Sequence, residues 1–355
     1  MGYRGNMFAS NHIIYDCAIA PLRREFSTRG VLAIRARSKM NSLKSFTKLC
    51  AIGLACIPIF SATVSQASPF ATEVIAHSKD LNGSSDFNDP NAMLGKPTTS
   101  QKYPGYTYQG KTYKGTTSKT KVCEGVWKTN SAGKKAVTQF KAGSWAVVKF
   151  GQKVRNDKNN PFGIDLIVFG NNSMTVSPTS AVNDSTNMNN TTVKGNLTPE
   201  QLKISVSQGY TGAAGQKKDD QSTWTWKIID MSKTPFFTTQ GYQWDAKNAK
   251  WTNKEMDFTK PVDPSLVEKK DGAFTFKGGD QSAANIIKKY KGSGGGAGID
   301  LSQTGLSWIQ YVKVSGTGGS VDGFADVSAV PEPATLALLT IGGLAIIRRR
   351  KAKAC

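Results

Sequence analysis

Two runs decide the fold: Ser144-Trp145-Ala146-Val147-Val148-Lys149-Phe150 and, a short polar interval later, Ile164-Asp165-Leu166-Ile167-Val168-Phe169. The first largely alternates, the period-2 pattern of a half-buried strand. The second is almost continuously apolar and β-branched, which suits a central strand covered on both faces. Comparable short runs recur at 136–140, 202–207, 223–229, 273–276 and 309–314, punctuated by Gly, Asn, Asp and Pro. Long helical periodicity is nearly absent, and only 282–290 reads as a short helix. The pattern predicts an all-β fold, a jelly-roll-like β-sandwich with long loops.

Between these runs, 177–196 is rich in Asn, Ser and Thr and reads as a loop. Residues 291–298 hold five glycines in eight positions and read as a flexible linker. Tyr103, Tyr106, Tyr108 and Tyr113 sit among Gly, Lys and Thr, as on an exposed hairpin or loop.

The two ends have a different character. Residues 1–39 carry seven Lys/Arg, two acids and no sustained pattern. From Met40 the order is a basic segment with Lys44 and Lys48, an apolar run over 49–62, and Ser65-Gln66-Ala67. That order is a secretory signal peptide over 40–67, with cleavage between Ala67 and Ser68 by signal peptidase. On this reading 1–39 precedes the true start; the alternative is a genuine extension. The exported domain is then 68–330. At the other end Pro331-Glu332-Pro333 is stiffened by its prolines. A 14-residue uncharged run, 334–347, is predicted to form a single hydrophobic transmembrane helix, and Arg348-Arg349-Arg350-Lys351 forms the positive cytoplasmic anchor. At about 1.5 Å per residue the run reaches ~21 Å, short of a ~30 Å hydrocarbon core, which fits a temporary anchor.

This tail resembles the PEP-CTERM sorting signal of bacterial surface proteins over about 25 residues. The resemblance implies processing by an exosortase-type membrane protease, with an inner-membrane-anchored precursor passed on to the cell surface or extracellular matrix. Such proteins accompany exopolysaccharide production, so a role at the surface or in biofilm matrix is implied. A second resemblance spans roughly 85–330. The run Asp89-Pro90-Asn91-Ala92-Met93-Leu94-Gly95-Lys96-Pro97-Thr98, the paired strands 144–150 and 163–172, and the closing stretches 298–301, 309–314 and 323–330 are similar to a group of PEP-CTERM-bearing surface proteins, with Gly170 where they often have Glu. It implies a secreted β-sandwich of unassigned activity.

The formal charge of +21 suggests nucleic acid at first sight, but 68–330 carries +10, and Arg155 is its only arginine. Sequence readers of nucleic acid favour arginine for its bidentate geometry. The charge therefore points to solubility and weak attraction to anionic polymers, acidic exopolysaccharide among them, and not to nucleic acid. Cys123 is the one cysteine of 68–330, so that region forms no internal disulfide. A lone exported thiol is buried, reactive or paired between molecules.

Catalytic chemistry finds little support. His77 is the one histidine of 68–330, and neither His-Glu-x-x-His, Cys-x-x-Cys nor Gly-x-Ser-x-Gly occurs. No catalytic residue, metal site or cofactor is assigned, and the expectation is a non-enzymatic protein. Paired carboxylates of a glycan-active hydrolase would meet only in the fold. Asp86, Asn88, Asp89 and Asn91 are closely spaced oxygen donors of the kind calcium takes, as in an adhesion domain; Asx-turns around Pro90 are the plainer account, and the same discount covers Asp322 and Asp326. Trp224 and Trp226, two apart, would share one face of a strand, either packed against it or offered as a sugar-stacking platform. The glycine run at 292–297 lacks the βαβ setting of a dinucleotide loop.

Overall fold

The computed structural model describes residues 68–327 outside 84–86, 104–105, 109–110, 127–128, 131–135, 178–181 and 198–199. The 1–39 extension, the signal peptide 40–67, Asp86 and the whole tail from 328 lie outside the described residues, as does the 334–347 span. Among the described residues no helix is long and apolar enough to cross a membrane.

The described chain is mostly β, in several open sheets with one α-helix. Ten strands make two five-stranded antiparallel sheets: β1 (Ala71–His77), β2 (Thr138–Gln139), β3 (Trp145–Arg155), β4 (Leu166–Gly170), β5 (Leu202–Ser207), β6 (Lys227–Ile229), β7 (Phe236–Phe237), β8 (Gly296–Ile299), β9 (Trp308–Gly316) and β10 (Ser320–Asp326). Sheet one runs β1-β3-β9-β5-β6 and sheet two β7-β8-β4-β10-β2. The final two strands thus hold interior places, β9 in the middle of sheet one and β10 beside the middle of sheet two. The start of the domain meets its end: Phe70 bridges Ala325, and Asp326 N–H donates to the Pro69 carbonyl at 2.7 Å.

One buried cluster draws on both sheets. Ala146, Val148 and Phe150 of β3, Ile204 and Val206 of β5 and Val312 and Val314 of β9 meet Leu166 and Val168 of β4, Ile299 of β8 and Phe324 of β10. The other side of β4 is covered too. Ile167 and Phe169 pack with Phe258, the two phenyl rings 5.3 Å apart edge to face. The continuous apolar run over 164–169 is thus the middle strand of its sheet, buried on both faces as its pattern requires.

The long connections build a second buried cluster around α1 (Ala283–Lys289). Ile286 and Ile287 of α1 pack with Met174, Met188, Val193, Phe237, Phe276 and Tyr290. Ser282 Oγ accepts from Asn285 N–H and starts the helix; Lys288 and Lys289 close it, where cations suit the helix dipole. Four expectations change here. The glycine stretch is no flexible linker: it leads into β8, and 293–297 are buried. A Cβ on Gly295 would stand 2.2 Å from the Thr238 carbonyl oxygen and one on Gly298 2.5 Å from Ile164 Cδ1, so glycine lets backbones close up. The segment expected as a loop at 177–196 contributes short strands and sends Met188 and Val193 into the second cluster. The 223–229 run is strand only over β6, which leaves Trp224 and Trp226 off the strand, and 136–140 is strand only over β2. The tyrosine-rich segment does form a hairpin, Tyr106–Tyr108 against Lys111–Tyr113.

Three carboxylates pin the corners. Asp165, between β3 and β4, accepts from the N–H groups of Asp157 and Leu301 and from Asn160 Nδ2, each at 2.9 Å. Glu200 accepts from Asn171 N–H at 2.9 Å and Ser320 N–H at 3.0 Å, tying the end of β4 to the start of β10. Asp322, inside β10, accepts from both the N–H and the hydroxyl of Thr98, each at 2.8 Å. Burial raises all three pKa values, that of Asp322 to about 7. Lys121 is buried among Asp184 at 2.9 Å, Glu124 at 3.1 Å and Ser118 Oγ at 2.5 Å.

Candidate functional site

The outer face of sheet one carries the aromatic surface. In β9, Ile309, Val312 and Val314 point into the core, yet Gln310 and Tyr311 lie next to each other on the outside. An irregularity in the pairing with β3 accompanies this: Ile309 faces Val154 and Tyr311 faces Lys149, so the surplus residues lie on β3 and the alternation of β9 breaks between them. Gln310 Nε2 donates to the Phe150 carbonyl at 3.2 Å across the irregularity.

Tyr311 lies against Gly209, which has φ +88°; a Cβ there would come 2.4 Å from Tyr311 Cε2, so glycine seats the ring. Trp224 packs on the other side of Tyr311, ring centroids 4.6 Å apart, and Trp226 stacks on Trp224 at 6.3 Å and 23°. The indole N–H groups hold the loop: Trp224 Nε1 donates to the Lys217 carbonyl at 3.0 Å, Trp226 Nε1 to that of Gln221 at 2.9 Å. The result is a cleft of about 490 Å³ lined by Ile75, Tyr210, Trp224, Trp308 and Tyr311, with Gln208, Gln221, Gln310, Lys218 and Asp219 supplying polar groups. Flat rings beside side-chain amides can take a pyranose, stacking on its C–H face and bonding its hydroxyls.

The predicted pair therefore divides. Trp224 lines the cleft but is 8% exposed and clamped between Tyr311 and Trp226, so it serves as a supporting wall. The accessible rings are Tyr311, Trp308 and Tyr210, the last 49% exposed. Sequence reasoning missed all three. An alternating strand with a tryptophan at its head was visible, but the register break beside the rings was not.

The remaining candidates lie elsewhere. Asp89 caps the short 3-10 turn Pro90–Met93, accepting from Asn91 N–H at 2.9 Å, and Asn88 Oδ1 accepts from Leu81 N–H at 2.6 Å, the Asx-turn arrangement. Asp322 is committed to Thr98, and Asp326 accepts from Gln152 Nε2 at 3.0 Å. Among the described residues no three His, Cys, Asp or Glu side chains converge as a metal set would. His77 is exposed at the end of β1, its Nδ1 2.8 Å from the Ser78 carbonyl. Cys123 is half-buried, and burial pushes its thiol up to about 11, so it stays protonated near neutral pH.

The tail supplies what the fold does not. Residues 329–351 match the family model of the PEP-CTERM protein-sorting motif, so this is a PEP-CTERM-bearing chain. The motif implies processing by exosortase, from an exported, membrane-anchored precursor to a product released to the surface. No curated protein matches the chain.

Proposed function

We propose that residues 68–330 form a jelly-roll-like β-sandwich displayed at the cell surface or in the extracellular matrix, where it binds glycan without cleaving it. The observation that carries this reading is the cleft over the register break between β3 and β9, with Tyr311 and Trp308 flanked by Gln208, Gln221 and Gln310. Two five-stranded sheets sharing one buried cluster, with the chain crossing between them at every connection but β5–β6 and β7–β8, support the sandwich. Asp219 is the one carboxylate in the cleft lining, which favours binding over a two-carboxylate hydrolysis. The sorting signal at the C-terminus supports a destination where glycan is the surrounding polymer.

Affinity electrophoresis of the full-length chain in gels containing neutral and acidic polysaccharides tests it. Retardation by at least one polymer, abolished in Trp308→Ala and Tyr311→Ala, is expected. A full set of gels without retardation overturns the reading.

A further inference from the structure

A second hollow adjoins the cleft. It measures about 390 Å³ and is lined by Lys153, Arg155, Asn156, Asp157, Ser307 and Trp308. Trp308 belongs to both hollows, so a chain lying on it reaches from one into the other. Both cations come from the outward-facing row of β3, and Arg155 is the direct cross-strand partner of Trp308. The Lys153 ammonium stands 3.8 Å from the centroid of the Trp308 ring, held against an aromatic face and not against a carboxylate. Asp157, the one acid of the lining, accepts from Asn159 N–H and Asn159 Nδ2, each at 2.9 Å, and keeps its charge, so the two cations leave the lining one positive charge in excess. The hollow is thus lined by two positive groups, one carboxylate, an amide and a hydroxyl around a tryptophan edge. The first cleft, by contrast, presents rings and amides, with one lysine and one aspartate on its rim.

From this we infer that the ligand is a linear acidic glycan, one sugar lying on Tyr311 while the anionic substituent of a neighbouring sugar is held by Lys153 and Arg155. Trp308 and Tyr311 are three residues apart on β9, at most about 10 Å along the backbone at ~3.3 Å per residue, so neighbouring sugars of one chain can reach both. The guanidinium offers a planar fork that suits a carboxylate or sulfate, which explains an arginine here in a region otherwise served by lysine. The inference rests on the glycan-binding reading above and adds the acidic class and the residues that select it.

The test uses the full-length chain against three probes: polygalacturonic acid, the same polymer with its carboxyls reduced to alcohols, and dextran sulfate. Binding to polygalacturonic acid at least tenfold tighter than to the reduced polymer is expected. Lys153→Gln with Arg155→Gln should remove that preference yet keep the weaker binding to the reduced polymer. The double change Lys247→Gln and Lys250→Gln, exposed where strand Tyr242–Asp245 turns into strand Lys250–Glu255, removes the same charge and should leave the preference intact; if it erases the preference equally, the selectivity is general charge and the inference falls. Tighter binding to dextran sulfate than to polygalacturonic acid, lost in the Lys153/Arg155 variant, supports the site with sulfate as the group it prefers. Equal binding to the acidic and reduced polymers overturns the inference and leaves glycan binding standing, whereas no binding to any probe overturns both.

Discussion

Replacing Asp322 by Asn should make the protein more resistant to unfolding as pH rises. Asp322 is buried inside β10 and faces Thr98, and burial holds its carboxyl at about 7 against the usual 3.8. Below about pH 4 the group is protonated in both the folded and the unfolded chain and makes no difference. Between about pH 4 and 7 the unfolded chain sheds the proton while the folded chain keeps it. Each pH step there lowers stability by about 1.4 kcal/mol, about 4 kcal/mol over the whole window. Above 7 the carboxylate is charged in both states and the loss is complete. Asparagine fills the same space: its Oδ1 accepts from Thr98 N–H, and its Nδ2 donates to the Thr98 hydroxyl, which turns to accept. Asp165 and Glu200 titrate in the same direction but are present in both proteins, so they cancel in the difference. Urea unfolding of wild type and variant, followed by tryptophan fluorescence at pH 4, 6 and 8, measures it. The two should match at pH 4, with the variant ahead by an amount approaching 4 kcal/mol at pH 8. A difference that does not change with pH would refute the buried, protonated carboxyl.

Other perturbations follow from the same geometry. Gly295→Ala puts a methyl against the Thr238 carbonyl and should cost about 3 kcal/mol, seen as a melting temperature about 6–12 °C lower. Gly209→Ala pushes on the Tyr311 ring and should weaken polysaccharide retardation about tenfold while the melting temperature moves by only a few degrees. Changing Pro331, Glu332 and Pro333 to alanine should leave export intact and block processing, so fractionation finds a longer species in the membrane; normal size and amount at the surface would make the tail a plain anchor. Peptide sequencing of the exported protein should place its first residue at Ser68.

The parts of the fold that were legible were those whose burial is written in the residues themselves. The run 166–169 is apolar throughout because both its faces are covered, and Ser282 announces α1 because a cap needs only local chemistry. The glycine run was misread because glycine has no side chain to betray burial; its tight fit depends on Thr238 and Ile164, distant in sequence. The cleft was illegible for a related reason. Tyr311 sits beside Gln310 on the outside where the register of β9 against β3 breaks, and a register belongs to a pair of strands, not to either one. Trp224 and Trp226 stood out by their spacing, but a short 3-10 turn over Gln221–Thr223 precedes them and β6 begins only after them.

The interior positions of β9 and β10 set the timing of folding. Until residues 308–316 emerge, β3 and β5 have no strand between them, and until 320–326 emerge, β4 lacks a neighbour. A chain that lacks 308–326 therefore has neither sheet complete. Closure arrives only with the last strand, and the sorting motif begins at residue 329, directly after it. The strand that completes sheet two and the sorting motif are thus separated by only two residues of chain.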